Sequence, residues 1–489
     1  MFRRLRYAVV TLAAVLALSS CSSRVDDAEI AEASRGSGPV APAGAALTAP
    51  GDPAPSTAGV GVDIAAPAAP AATGVQETTT GTTAAPASAG AGPSKSGGKA
   101  VESVGGKTAP VASRAACAKQ LAPIVLGQVG AFSGLVGQST GNIRLGLQLW
   151  ANHVNALGGV QCHPVQLIQR DDGSDPSKTA SIAQEMITQQ KVQAFVGTDT
   201  PITIAALRSV ISKYKIPVVG GELVPEDWNK DPLLFPQGSS PPTQFIGSNK
   251  FLQSQTGVKK LAVIHCVEAT ACVYSGKLMA DKANADKAGV EVVSVQGASL
   301  TQTDYTAVCQ NAKSAGAQAT FVTLDASALQ RFARSCAAIG FNVPLAATSI
   351  QVSPPLLADA NLNKIGMYIA TPVVPFLVNR TPAQNAFHDA AAKFAPGAKL
   401  DGPSMVGWVA GKLFETAIAA VADTARSGDL TTATVFKGLY ALKNETLGSL
   451  TQPLNYVEGK PAPIIPCFYG FMLKDGKFSA PIGDQKICL

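Results

Sequence analysis

Histidine and aromatic residues are scarce in this chain of 489 residues: four His, and Phe, Trp and Tyr at 6%. With only His153, His163, His265 and His388 to carry imidazole chemistry, metal centres and His-based acid–base sites have few sources. No His-Glu-x-x-His, no closely paired zinc cysteines and no Gly-x4-Gly-Lys-Ser/Thr loop occurs, so no cofactor or metal is expected. Charge is also sparse. Charged residues make up 15% and the net charge is +6, half of it on Arg3, Arg4 and Arg6. No cluster of bases interleaved with aromatics is present, which argues against a nucleic-acid partner. Beyond Tyr7–Leu18 there is no long apolar run. That run is shorter than the roughly 20 residues that span a bilayer.

What is present at the N-terminus reads as export. Arg3, Arg4 and Arg6 precede the apolar Tyr7–Leu18 stretch, the order of a signal peptide. Leu18-Ser19-Ser20-Cys21 then resembles the bacterial lipobox, which implies acylation of Cys21 and a lipid-anchored protein. Two acyl chains would hold a protein at a membrane without a spanning helix. Residues 21–112 are rich in Ala, Pro, Gly, Ser and Thr and poor in large apolar groups. Such a segment cannot offset its chain entropy by burial and is expected to be a disordered tether. Its end-to-end distance would be on the order of 50 Å.

Eight further cysteines follow Cys21, an even number in an exported chain, which points to disulfides. Spacing alone does not fix their connectivity. Pairing of neighbours in order is expected: Cys117–Cys162, Cys266–Cys272, Cys309–Cys336 and Cys467–Cys488. Cys117 and Cys162 each precede a predicted strand, and those strands would be adjacent in a βαβ unit. The rival for Cys266 and Cys272, a metal site with His265, lacks a fourth ligand and a zinc spacing.

The folded region alternates strand and helix. Ile124–Val129 reads as a strand, and Ile143, Leu147, Trp150 and Val154 mark a helix. Val165–Gln169 is a second strand. Asp175-Pro176 supplies an N-cap and a first-turn proline for the next helix. Val192–Val196, a helix over Ile204–Tyr214 and the strand Ile216–Val219 complete this run. The alternation restarts with Lys260–Ile264, a helix over Tyr274–Ala288, and strands at Val290–Val295, Ala319–Leu324, Leu345-Ala346 and Met367–Ile369. A long helix through Val406–Val421 and a strand at Cys467–Phe471 follow. Strict alternation predicts an α/β fold of two doubly wound parallel-sheet lobes.

Several segments then carry a resemblance. Gly130-Ala131-Phe132-Ser133-Gly134, Asn155-Ala156-Leu157-Gly158-Gly159-Val160, Arg170 to Pro176 and Ala194-Phe195-Val196-Gly197 stand in order at matching intervals. In this series the chain resembles the leucine/isoleucine/valine-binding type of ABC-importer solute receptor, with weaker likeness through Tyr274-Ser275-Gly276 to the C-terminus. The resemblance implies the type I periplasmic-binding fold, with three crossings near Ser240–Gly247, Thr371–Pro375 and Pro461–Ile465. The lobes would be residues 113–245 with 372–460, and residues 246–371 with 461–489, behind a signal segment at 1–20. It places ligand contacts at Ser133, Thr198, Asp199, Thr200, Gly221, Glu222, Tyr274, Asp325 and Ser349, with Gln351 nearby. Asp171 and Asp172 are expected to serve turns and caps.

This sequence departs from that family. The carboxylate expected near Ser349 for a ligand ammonium, and a Thr near Leu223, are missing, while Asp199 puts an acid where a ligand carboxylate would sit. A solute other than an α-amino acid, neutral or cationic, is therefore admitted. The expected function is capture of a small polar solute by hinge closure and delivery to ABC permease subunits, by a monomer that is not an enzyme. A sensor of the same fold, acting on a membrane signalling partner, is the second reading. A serine hydrolase is the third, on Gly137-Gln138-Ser139-Thr140-Gly141 alone. Its Ser lies about eight residues beyond the predicted strand, too far for a nucleophile elbow.

Overall fold

The computed structural model describes Cys117 and residues 119–489. The expected signal segment, Cys21 and the tether lie outside the described residues. Among those described, no helix is long and apolar enough to cross a membrane.

The inner strands of the first sheet are near-continuous buried runs, the mark of parallel strands covered on both faces, while the edge strand Val165–Asp171 is half-exposed. β1 (Ile124–Gly130), β2 (Val165–Asp171), β3 (Ala194–Thr198), β4 (Val218–Gly221) and the short β5 (Leu234–Phe235) lie in the order β2-β1-β3-β4-β5. All neighbours are parallel, with Ile124 opposite Val165 and Phe195 opposite Val218. The helix Ile143–Ala156 buries Ile143, Leu147, Trp150 and Val154 on one face, as its spacing predicts. Asp175 caps the helix Pro176–Thr188 by accepting from the N–H groups of Ser177 and Lys178.

The second sheet repeats the plan. β6 (Lys260–Cys266), β7 (Glu291–Ala298), β8 (Ala319–Thr323), β9 (Leu345–Thr348) and β10 (Met367–Thr371) run parallel in the order β7-β6-β8-β9-β10. β13 (Cys467–Lys474) adds antiparallel to β10, and β14 (Lys477–Ser479) and β15 (Ile487–Cys488) add antiparallel to β13. A two-stranded ribbon, β11 (Lys443–Glu445) and β12 (Leu454–Asn455), stands apart from both sheets. The single helix expected over Tyr274–Ala288 is two, Thr270–Ala280 and Lys282–Ala288. Asp281 leaves the helical conformation and caps the second by accepting from the N–H of Asn284. Four disulfides join Cys117–Cys162, Cys266–Cys272, Cys309–Cys336 and Cys467–Cys488.

The chain passes between the lobes three times, and the passages are tied side by side. The Ser239 N–H donates to the Pro372 carbonyl, and the Ser239 hydroxyl to the Cys467 carbonyl at 2.6 Å. Gln452 donates to both the Ser239 hydroxyl and the Cys467 carbonyl. Ser240 Oγ accepts from Ile465 N–H, and Thr243 donates to the Ile465 carbonyl. The Leu489 N–H reaches the Pro466 carbonyl, which stitches the end of the chain to the third passage. The stretch expected to cross at Ser240–Gly247 is instead the start of a helix, Pro241–Thr256, whose buried face packs on the second sheet. Pro241 opens it as a first-turn proline, so the passage is confined to the residues just before it.

Lobe 1 is completed from far along the chain. The helix Gly402–Ala419 packs against Ile143–Ala156 through glycines. A Cβ at Gly146 would strike the Ser404 carbonyl, and one at Gly407 the Ile143 carbonyl, so the two backbones touch. Gly407→Leu should therefore lower stability by roughly 1–3 kcal/mol through overpacking, read as a lower denaturant midpoint. Gly428→Ala, where no atom stands within 4 Å of the added methyl, should stay within about 0.5 kcal/mol.

Candidate functional site

In each sheet the strand order reverses at one point, between β1 and β3 and between β6 and β8. Helices leave on opposite faces there, and the strands' carboxyl ends frame a crevice in which ligands characteristically bind. The two crevices face one another. From the first come Val136, Pro201, Ile202 and Val224; from the second, Cys266, Ala269, Leu300, Leu324 and Ile350. With Phe245 from the helix after the first passage, they line a partly open cavity of ≈ 70 Å³.

The wall is apolar, and the polar side chains in it are engaged. Ser139 Oγ accepts from the Ala326 N–H at 2.5 Å, across the two lobes. Gln138 accepts from the Ser327 hydroxyl beside it, a second cross-lobe contact. Asp325 caps the helix Ala326–Ala338 by accepting from the Ser327 and Ala328 N–H groups. The Gln351 amide donates to the Val322 and Leu324 carbonyls while its oxygen accepts from Thr348. Thr323 shares a hydrogen bond with Ser275. The Cys266–Cys272 disulfide forms part of the wall.

Two carboxyl groups stand next to residues of this wall: Asp199 beside Thr140, and Glu222 two residues before Val224. Asp199 bridges to Gly130 at the carboxyl end of β3, and Glu222 follows β4, its N–H donating to the Thr198 carbonyl. Both are buried; the Trp228 indole N–H and the Thr200 N–H lie near the Glu222 carboxyl, yet none of the four carboxyl oxygens reaches hydrogen-bond geometry with a partner. The same holds for the hydroxyls of Thr198, Thr200 and Ser349. The Thr140 hydroxyl lies beside Asp199 and also lines the cavity, but it is directed at the carbonyls of Ala131 and Val136. Burial holds the Asp199 carboxyl well above the usual carboxylate range, and neighbouring Glu222 adds to the effect. Burial likewise pushes Glu222 up to about 7. An unpaired buried charge is costly, and neutralisation is the ordinary escape.

The residues expected at the site thus separate into groups. Thr198, Asp199, Thr200, Gly221 and Glu222 come together at the carboxyl ends of β3 and β4, and Asp325 stands in the cavity wall. Tyr274 packs edge-on against Phe245, and its hydroxyl is raised by burial and by Glu226 of the first lobe. Ser349 opens a short 3-10 turn and is packed under Gly402. Ser133 is exposed, its N–H bonded to Asp171, and is not part of the cavity wall. Asp171 gathers the N–H groups of Phe132, Ser133 and Gly173, while Asp172 accepts from Ser174, Thr179 and Thr203. Both therefore serve turns and caps. Ser139 of the Gly-x-Ser-x-Gly pattern sits in a one-turn helix, Gly137–Thr140, and its partner is a backbone N–H. His265 Nδ1 faces the Cys266 carbonyl, and Cys266 is disulfide-bonded. Among the described residues no three His, Cys, Asp or Glu side chains are grouped to hold a metal ion.

Val136, Pro201, Ile202, Val224 and Leu300 were not legible as site residues. They are loop aliphatics, and only the facing of two distant segments makes them a wall. Pro201 and Ile202 adjoin the Thr198–Thr200 turn, the one local signal that pointed near them.

Comparison with known proteins agrees with this geometry. A family model described as periplasmic binding protein matches residues 123–477. A curated relative, an amino acid binding protein of Pseudomonas aeruginosa, is 24% identical over 209 residues, 41% of this chain. The matched part spans about half (54%) of that protein's length. Among solved structures, a fatty acid ABC transporter substrate-binding protein from Thermomonospora curvata superposes with a TM-score of 0.64 at 20% identity, covering 75% of this chain and 92% of its own. A branched-chain amino acid transporter substrate-binding protein from Streptococcus pneumoniae, in complex with isoleucine, gives 0.60 at 17% identity, covering 75% and 99%. A solute-binding protein from R. palustris, in complex with 4-hydroxybenzoate, gives 0.59 at 21%, covering 75% and 97%.

The buried acids make stability depend on pH. Glu222 in the folded state, at about 7 against an ordinary 4.5, holds a proton that the unfolded chain releases. The folded state therefore binds more protons, and stability falls as pH rises from about 4.5 through about 7. The loss for this group is on the order of 3 kcal/mol. Glu222→Gln should flatten that fall and raise the melting temperature at pH 8, as thermal denaturation across pH 5–8 would show.

Proposed function

The chain belongs to the periplasmic binding protein family, a family of binding proteins rather than enzymes, and on that premise we propose that it is the extracytoplasmic solute-binding subunit of an ABC importer. The observation that carries this reading is the cavity lined from both sides where the reversal points of two α/β sheets face each other. Solute would dock against one lobe and the other would rotate onto it about the three tied passages. The contacts Ser139–Ala326 and Gln138–Ser327 then form only when the lobes meet. A permease that recognises the met lobes would read the loaded state.

In this reading the lobes are residues 119–240 with 372–460 and residues 241–371 with 461–489, the first boundary moved to the start of the helix Pro241–Thr256 that packs on the second sheet. The Arg-rich start, the apolar run and Leu18-Ser19-Ser20-Cys21 support export and lipid anchoring at Cys21, and the composition of residues 21–112 supports a tether that lets a monomeric head work away from the membrane. The fold neighbours named above bind amino acids, a fatty acid or a benzoate, which supports a small organic solute here. Thr198–Thr200, Gly221, Glu222, Tyr274 and Asp325 would bear on it directly or through the wall.

Cys21→Ser should move the expressed protein from the membrane fraction to the soluble fraction. A full-length protein that stays with the membrane after this change would remove the lipid anchor from the account. For the solute itself, a thermal-shift screen of the purified full chain over amino acids, amines, organic acids and sugars should yield at least one stabilising compound. A ligand at about 100 times its dissociation constant adds roughly 2.7 kcal/mol, a rise of several degrees.

A further inference from the structure

Building on the solute-binding reading, we propose that the solute is a hydrophobic amine, with a small apolar body in the cavity and one protonated amino group held by Asp199 and Glu222. Three observations converge on it. First, the wall offers aliphatic and aromatic surface, and its polar side chains (Ser139, Thr323, Asp325 and Gln351) are spent on partners within the protein. A zwitterion would find no free group there for its carboxylate, so the buried body must be apolar.

Second, the unsatisfied polar atoms gather on one side. All four carboxyl oxygens of Asp199 and Glu222 lack partners, as do the hydroxyls of Thr198 and Thr200 between them. Apart from the Trp228 indole N–H beside Glu222, these groups are acceptors or hydroxyls, and an ammonium supplies three donors. Thr140, which lines the cavity, lies beside Asp199, and the wall residues Pro201, Ile202 and Val224 stand within two residues of Thr200 or Glu222 in the chain.

Third, the charged groups acting on the pair from the surrounding elements are themselves acids: Asp171 and Asp172 from the end of β2, and Asp227 from the turn that carries Trp228. Arg208, the base packed on that turn, is engaged by Asp227 and Asp231. An anionic solute would meet repulsion from each. A cation would let both buried carboxyls ionise against it, and an ion pair with direct hydrogen bonds is the arrangement that makes buried charge tolerable.

The test uses the full-length protein in calorimetry and thermal shift at pH 6 and pH 8. The probes are pentylamine and phenethylamine, the matching alcohols, the chain-matched carboxylates hexanoate and phenylpropionate, and L-leucine. The expected result is that an amine binds, its alcohol at least about tenfold more weakly, and that amine affinity rises from pH 6 to pH 8 as the carboxyls ionise. Asp199→Asn and Glu222→Gln should each weaken the amine by about 30-fold or more and remove that pH trend. If either variant fails to fold, the contrast between amine and alcohol and the pH trend on the unaltered protein decide alone. Amines that give no shift, or alcohols equal to amines, overturn the inference. Binding of leucine or of a carboxylate with the amines silent overturns it too, and in that case leaves the solute-binding reading standing.

Discussion

Two helices that begin about 260 residues apart touch backbone to backbone, and the architecture depends on that contact. Gly146 and Gly407 have no side chain to hold Ile143–Ala156 and Gly402–Ala419 apart, and Gly411 lets Trp150 lie flat on the second helix. The contact draws the late chain back into lobe 1 after the excursion through lobe 2. Once the chain must return, three passages between the lobes are obligatory, and hydrogen bonds at Ser239 and Gln452 bring them together. Two rigid bodies joined along one narrow band have essentially one soft motion, the opening and closing of the crevice between them. The same contact puts the start of Gly402–Ala419 against Ser349, so the helix that completes lobe 1 also meets lobe 2.

The chemistry of the crevice is set by a conflict between burial and charge. Parallel strands bury their carboxyl ends deeply, and the turns there usually spend their polar groups on caps. Asp171, Asp172 and Asp175 do so, each gathering backbone N–H groups or hydroxyls. Asp199 and Glu222 follow the next two strands in chain order, and although Thr140, Thr200 and Trp228 stand nearby, no hydrogen bond of good geometry reaches their carboxyls. Local turn geometry does not account for them. Their cost to the empty protein is offset elsewhere, by a core that includes Trp150, Trp228 and Trp408 fully buried.

Much of the architecture was legible in the residues. Strand runs such as Ile124–Val129 and Lys260–Ile264 are apolar on both faces, and Asp175-Pro176 announces a helix start by capping chemistry that needs no tertiary partner. The helix Pro241–Thr256 escaped because it lacks an amphipathic stripe. Ten of its residues are buried, among them the polar Thr243, Gln244, Ser248 and Asn249, so neither period nor polarity marks it. The break at Asp281 was hidden for a related reason, since Ala-rich sequence on both sides reads as one helix until a capping carboxylate turns the chain. At the site, the turns after β3 and β4 were visible because Gly, Thr and Asp follow apolar strands. The cavity wall was not, because Val136, Ile202 and Leu300 acquire a role only when two loops remote in sequence face one another.

The third passage has a practical side. Leu489 bonds to Pro466, Ile487 pairs with Phe468, and Cys488 is cross-linked to Cys467, so residues 487–489 are woven into the band that joins the lobes. Fusions, surface immobilisation and reporter dyes all need an attachment point that bears no structural load. A load attached at residues 487–489 pulls on the joining band itself. An instrument that tethers the molecule there would report a stiffer or a biased clamp, whereas the exposed loop at Gly428, on the body of lobe 1, leaves the band untouched.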